Sequence, residues 1–305
     1  MDTLLDWSLL SSTLRTVAPL LLAALGGALC ARVGIFNVAL EGMMLTGAFT
    51  AILGNYLFGN VLLAILFACV CVGVLALLFG YLSIQLQANA IVVGTAMNFL
   101  ATGLTAFSLF AIFGVKGQYY DQTMKGLPKW DIPLIKDIPV VGDVLSGHTP
   151  LVYLAFVLAA GLQYLMFRTV MGFRLMAVGE NITAAKSLGI RVRRYQYGAV
   201  LASGILCALA GAQLSLGQVT LFAENMTAGR GFIALVATML GQSSPLGVTA
   251  SSLLFGFMDA ISIRLQGFSL PTHFTMMLPY VITIVVMLFF KDKSYLRQSG
   301  RMDSK

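Results

Sequence analysis

Charged residues are scarce in this chain. Lys, Arg, Asp and Glu together make 10% of its 305 residues, against 58% for the hydrophobic types. With a mean hydropathy of +0.89, this composition excludes an ordinary soluble domain. No polar stretch of domain length is present, so no room is left for a soluble catalytic domain. Alternating polarity in segments of about 10 residues is also missing, which excludes a transmembrane barrel. Cysteine occurs four times and histidine twice. Cys30, Cys69, Cys71 and Cys207 all fall in apolar runs without a CxxC pair, and His148 and His273 have no metal-like companions. Neither a metal centre nor a disulfide framework follows, and packing thiols are expected. No G-x-x-x-x-G-K-[ST] loop occurs, so the chain cannot cradle ATP phosphates by that route. The N-terminus carries Asp2 and Asp6 where a secretory signal would place cations. Leu29 makes "GALC" a poor lipoprotein cleavage site.

What the chain does have is a series of apolar runs, several reaching the roughly 20 residues that cross a bilayer core. They predict an all-α polytopic membrane protein with about nine crossings, near 13–31, 35–57, 60–83, 90–114, 150–170, 197–219, 230–242, 245–264 and 272–290. The chain reads as a single transmembrane domain, 1–305. The fifteen methionines suit adaptable helix packing. The seventh run is short and is followed by "GQSSPLG" (241–247). A helix of about 13 residues rises only about 20 Å, so it stops part-way or re-enters. Such a break survives at membrane depth only under protein or beside water, which makes it a candidate lining of a central path. A faint echo links "ALEGMML" (39–45) to "ALVATML" (234–240), as duplicated transporter halves would.

The net charge of +7 does not point to nucleic acid, because it is distributed by side. With the 171–196 loop in the cytoplasm, that side collects Arg32, Arg168, Arg174, Lys186, Arg191, Arg193, Arg194, Lys291, Lys293, Arg297, Arg301 and Lys305, against Glu180, Asp292 and Asp303. The positive-inside bias then places the N-terminus outside and the C-terminal tail, 291–305, inside. The outer loop, about 115–149, carries Pro128, Pro133 and Pro139 and charges of both signs, with Pro150 just beyond it. It is either a solvated connector or a platform for an external partner.

The inner loop is longer than topology requires. Within it "ENITAAKSLG" has helix-favouring residues, Asn181 placed to cap the start and Gly189 placed to stop the end. A helix of about two turns is expected, too short to stand alone in water. It must pack on the membrane surface or on a partner.

"AAKSLG" keeps the Ala-Ala-x-x-x-Gly spacing of the cytoplasmic loop in permeases of ATP-binding-cassette importers, and here the chain resembles that family. Thr183 stands where the fuller motif has an acidic residue, with Glu180 three residues earlier. "GFRLMAVGENITAAKSLGI", "GIFNVALEGMMLTGAF", "ENMTAGRGFIALVATMLG" and "LLFGFMDAISIRLQ" resemble the subfamily for simple sugars and nucleosides, with relatives in branched-chain amino acid and ribose permeases. The Asn37-x-x-x-Glu41-Gly42 version is similar to the nucleoside branch. The resemblance implies a multi-pass protein of a prokaryotic plasma membrane that is not itself an enzyme. It implies a coupling helix involving Glu180, Ala184, Ala185 and Gly189, which docks on a cytoplasmic ATP-binding subunit. It also implies an extracytoplasmic substrate-binding protein and a second permease subunit, a related but different chain. No cofactor is expected on this chain; ATP and Mg belong to the partner ATPase.

Ionisable residues within the membrane are functional candidates by default. Glu41 lies about six residues into the second crossing, roughly 9 Å from its inner end, where it either braces a helix break or meets substrate. Asp259 is expected to pair with Arg264. A nucleoside or sugar also wants uncharged polar partners and an aromatic ring. Asn37, Asn98, Gln213, Ser215 and Gln218 are the polar candidates, with Phe99 and Phe107 for the ring. Each can equally be an interhelical hydrogen bond or packing. Glu224 and Arg230 at the outer mouth either pair with each other or meet the binding protein. The alternatives are a simple-sugar permease and, from another class, an ion-coupled secondary transporter using Glu41. A scaffold without transport leaves the polar residues and the broken seventh run unexplained.

Overall fold

The structure is a computed structural model, and it describes residues 7–122, 124–130 and 146–266. The ninth predicted crossing, the C-terminal tail, His273 and the centre of the outer loop lie outside the described residues.

Among the described residues, ten α-helices follow in order: α1 Trp7–Arg32, α2 Leu40–Phe58, α3 Val61–Gly80, α4 Ala90–Phe113, α5 Pro150–Arg168, α6 Val170–Glu180, α7 Ile182–Ser187, α8 Val192–Ala212, α9 Arg230–Leu240 and α10 Pro245–Leu265. Wider helical turns extend α3 through Tyr81–Gln85 and α8 through Gln213–Val219. With those extensions, α1, α3, α4, α5, α8 and α10 are six described helices long and apolar enough to cross a membrane. α2 has 19 residues but is not in that set. It has no need to be: it is buried through most of its length, and Thr46 and Thr50 return their hydroxyls to its own carbonyls.

α1 is the axis of the bundle. It is buried from Val17 to Cys30 and packs on α8, α9 and α10. Close approach between helices rests on small residues, as expected where lipid supplies no hydrophobic drive. A Cβ on Gly47 of α2 would stand 2.8 Å from the Cα of Ala208 in α8, so that crossing requires glycine.

Three sequence expectations change. The second crossing does not begin at residue 35; residues 33–39 enter the core as irregular chain before α2 starts. The 171–196 loop is more helical than expected, because α6 precedes the short α7. The echo does not mark equivalent places: 39–45 opens α2, whereas 234–240 closes α9. The seventh segment is short, as its sequence predicts, with 11 residues in α9.

The described part of the 115–149 loop is folded onto the bundle. β1 (Gln118–Tyr119) pairs antiparallel with β2 (Phe222–Ala223). The Asn55 side chain donates to the Lys125 carbonyl at 3.0 Å, and the Leu127 N–H donates to the Leu216 carbonyl at 2.9 Å.

Candidate translocation and coupling sites

The irregular entry to α2 is the polar centre of the molecule. Buried backbone groups there need partners, and three predicted site residues supply them. The Asn37 side-chain oxygen accepts from the Ala39 N–H at 3.0 Å, and its side-chain nitrogen donates to the Ser203 hydroxyl of α8 at 3.1 Å. Asn98 of α4 accepts from the Gly42 N–H at 2.8 Å and donates to the Val38 carbonyl at 3.0 Å. It thereby holds both sides of the α2 start. Glu41 reaches across to α9: its two carboxylate oxygens accept from the Gly229 N–H at 2.9 Å and the Gly231 N–H at 2.6 Å. These donors belong to the first turn of α9, where a helix leaves N–H groups unpaired and favours a negative charge. Glu41 therefore caps a helix far away in sequence, where the expected brace was across a break in its own helix.

The other end of α9 is fixed by a cation. Arg32, at the end of α1, donates to the Ser243 carbonyl at 2.8 Å and the Gln242 carbonyl at 3.1 Å. Between the two ends, the Thr238 hydroxyl lies 2.9 Å from the Ala24 carbonyl of α1. No motif singled out Arg32 for this task; its place at the end of an apolar run marked it only as topogenic.

The remaining candidates divide. Gln213 is fully buried and accepts from the Thr149 hydroxyl at 2.8 Å, while its amide nitrogen has no partner among the described residues. Ser215 returns its hydroxyl to the Gly211 carbonyl at 3.2 Å. Gln218 donates to the Arg15 carbonyl at 3.0 Å and lines a polar recess with Ser8, Ser12 and Lys129. Phe99 and Phe107 turn away from the chain's own core, with exposures of 80% and 69%. Glu224 and Arg230, expected at the outer mouth, do not pair with each other. The Glu224 carboxylate accepts from the Gly117 N–H at 2.9 Å, and Arg230 meets Asp259 at 3.5 Å. Asp259 thus takes Arg230 in place of the expected Arg264, which donates to Ser8. The α9–α10 packing brings Arg230 and Asp259 together, a contact invisible to local spacing.

In the 171–196 loop, Asn181 accepts from the Ala184 N–H at 3.0 Å and begins α7. Gly189 ends it with φ +76°. Glu180 is exposed, and so is Ala184, whereas Ala185 is 1% exposed and belongs to the core. Of the two alanines, only Ala184 is open to a partner.

A family described as the permease component of branched-chain amino acid transport systems matches residues 9–287. The chain belongs to that permease family. It is similar to the nucleoside ABC transporter permease protein NupC of Lactococcus lactis subsp. cremoris (strain MG1363), with 37% identity over 287 residues and 90% of each chain covered. It is also similar to the guanosine ABC transporter permease protein NupQ of Bacillus subtilis (strain 168), with 35% identity over 92% of this chain and 90% of that protein. An inward-facing structure of an ABC transporter of metal-chelate type shares the fold at a TM-score of 0.53. That match has 17% identity and covers 90% of this chain and 85% of the other. The permease is accordingly a multi-pass membrane protein and a transport subunit.

Proposed function

We propose that this permease is the membrane subunit of an ATP-driven nucleoside importer. The observation that carries the substrate class is the likeness to two nucleoside permeases over about nine-tenths of both chains. ATP and Mg are used by a cytoplasmic ATP-binding subunit that docks on α7, an extracytoplasmic protein delivers the substrate, and this chain holds no cofactor. The substrate path runs between this chain and a second, related permease. Phe99 and Phe107 support that placement: exposed rings on α4 are free to stack on a base, whereas Asn37, Glu41 and Asn98 are committed to partners within the chain. The test is ATP hydrolysis by the purified complex with its binding protein. Nucleosides are expected to stimulate it and free ribose is not. Stimulation by ribose alone moves the permease to the sugar branch. Uptake that survives ATP depletion but collapses with the proton gradient removes the ATP-driven mechanism.

We also propose nine crossings, with the N-terminus outside and α7 inside. Lys125 and Ser187 are both exposed and suit cysteine probes; Gly126 does not, because its Cβ would meet the Thr220 hydroxyl at 2.6 Å. In intact cells an impermeant thiol reagent is expected to label Lys125→Cys and to spare Ser187→Cys. The native cysteines, inside α1, α3 and α8, should stay silent. Labelling at Ser187→Cys alone inverts the topology.

A further inference from the structure

A cavity of about 750 Å³ opens between α5, α6 and α8, at the end of the bundle that carries Arg32 and Arg168. Its floor is apolar, formed by Leu29 of α1, Leu162 and Leu165 of α5, and Ala199 and Ala202 of α8. Its rim carries Arg174 of α6 with Arg191 and Arg194 at the start of α8. All three arginines are exposed, no acidic residue lines the cavity, and none of the three has a carboxylate partner among the described residues.

Three cations on one rim, with no carboxylate among them, favour an anion seated there. An apolar floor is best covered by hydrocarbon. The two requirements lie at different depths along the helices. Leu165 precedes the end of α5 by one turn, and Ala202 lies eleven residues beyond Arg191, about 16 Å along α8. That distance carries the site from the headgroup region into the bilayer core. A free phosphate leaves the floor bare, and a neutral lipid leaves the arginines uncompensated.

We propose that the cavity binds an anionic phospholipid, with its phosphate among Arg174, Arg191 and Arg194 and an acyl chain against Leu162, Leu165 and Ala202. Gly189 is also part of the lining, so a bound lipid braces the segment joining α5 to α8. Basic pockets between helices hold anionic headgroups by the same forces.

The experiment uses the full-length chain in mild detergent with its co-purifying subunits. Phosphatidylglycerol and phosphatidylcholine with identical acyl chains are titrated, and bound lipids are counted by native mass spectrometry. Wild type is expected to prefer phosphatidylglycerol, and Arg191→Gln with Arg194→Gln should weaken that binding by about fivefold per arginine. Gly198→Phe should exclude lipid of either kind. Gly198 lines the cavity and has nothing within 4 Å of its Cβ position, so the ring enters open space and the helix loses a glycine. Arg193→Gln makes the same charge change outside the lining and should leave binding intact. Equal retention of both lipids by wild type overturns the proposal. So does Gly198→Phe with unchanged binding, or Arg193→Gln weakening it as much as either rim arginine. Displacement of phosphatidylglycerol by glycerol 3-phosphate at equal concentration reassigns the cavity to a soluble anion.

Discussion

Gly231→Ala is expected to abolish uptake while the chain still inserts into the membrane. A Cβ at that position would lie 2.5 Å from both the backbone nitrogen and the Cα of Glu41. Backbone cannot swing aside as a side-chain tip can, so α9 must move away from α2. The hydrogen bonds from Gly229 and Gly231 to the Glu41 carboxylate then break together. Each buried donor left unpaired costs about 1–3 kcal/mol, and about 1.4 kcal/mol already corresponds to tenfold in an equilibrium. Glu41→Ala removes the acceptor without the clash and should lower thermal stability by about 2–6 kcal/mol. Glu41→Gln keeps one carbonyl acceptor and should fall between. Uptake per inserted molecule and thermal melting of the purified complex measure both effects. Wild-type values in Gly231→Ala would mean that the α2–α9 junction is dispensable. Uptake preserved in Glu41→Gln together with loss of proton dependence would instead return Glu41 to an ion-coupling role.

The second large effect is expected at α7. Ala184→Arg should strip the ATP-binding subunit from the complex and stop uptake, while the permease itself remains folded. Ala184 is exposed, its backbone N–H keeps the Asn181 cap, and arginine is a good helix former. A bulky charge placed centrally in a docked surface commonly costs more than 2 kcal/mol, or about thirtyfold in affinity. Ile182→Asp, at a residue 42% exposed on the same short helix, should act in the same direction. Ala185→Arg is a different experiment, because Ala185 lies in the chain's own core and its replacement loosens α7 from within. Gly189→Val meets open space but forces a β-branched residue to φ +76°, at a cost of about 1–3 kcal/mol. Co-purification of the ATP-binding subunit, measured beside uptake, separates these cases. Full co-purification with both Ala184→Arg and Ile182→Asp would leave α7 as a structural connection and nothing more.

The sequence alone determined the membrane class, the long apolar helices, the short α9 and both ends of α7. Those features depend on residues within a few positions of one another. An apolar run of sufficient length must be helical in lipid, and Asn181 and Gly189 act on their own neighbours. Only the tertiary structure decided what the polar residues do. Glu41 caps a helix that begins 189 residues later, and Arg230 takes Asp259 over nearby Glu224. Periodicity could not foresee which way Phe99 or Ala185 points. A helix shows its buried side through an apolar stripe, but α4 carries apolar residues on every side and α2 is enclosed nearly all round. Where every face is greasy, the choice between core and surface passes to the close contacts of glycines and to the helices that happen to lie beside them.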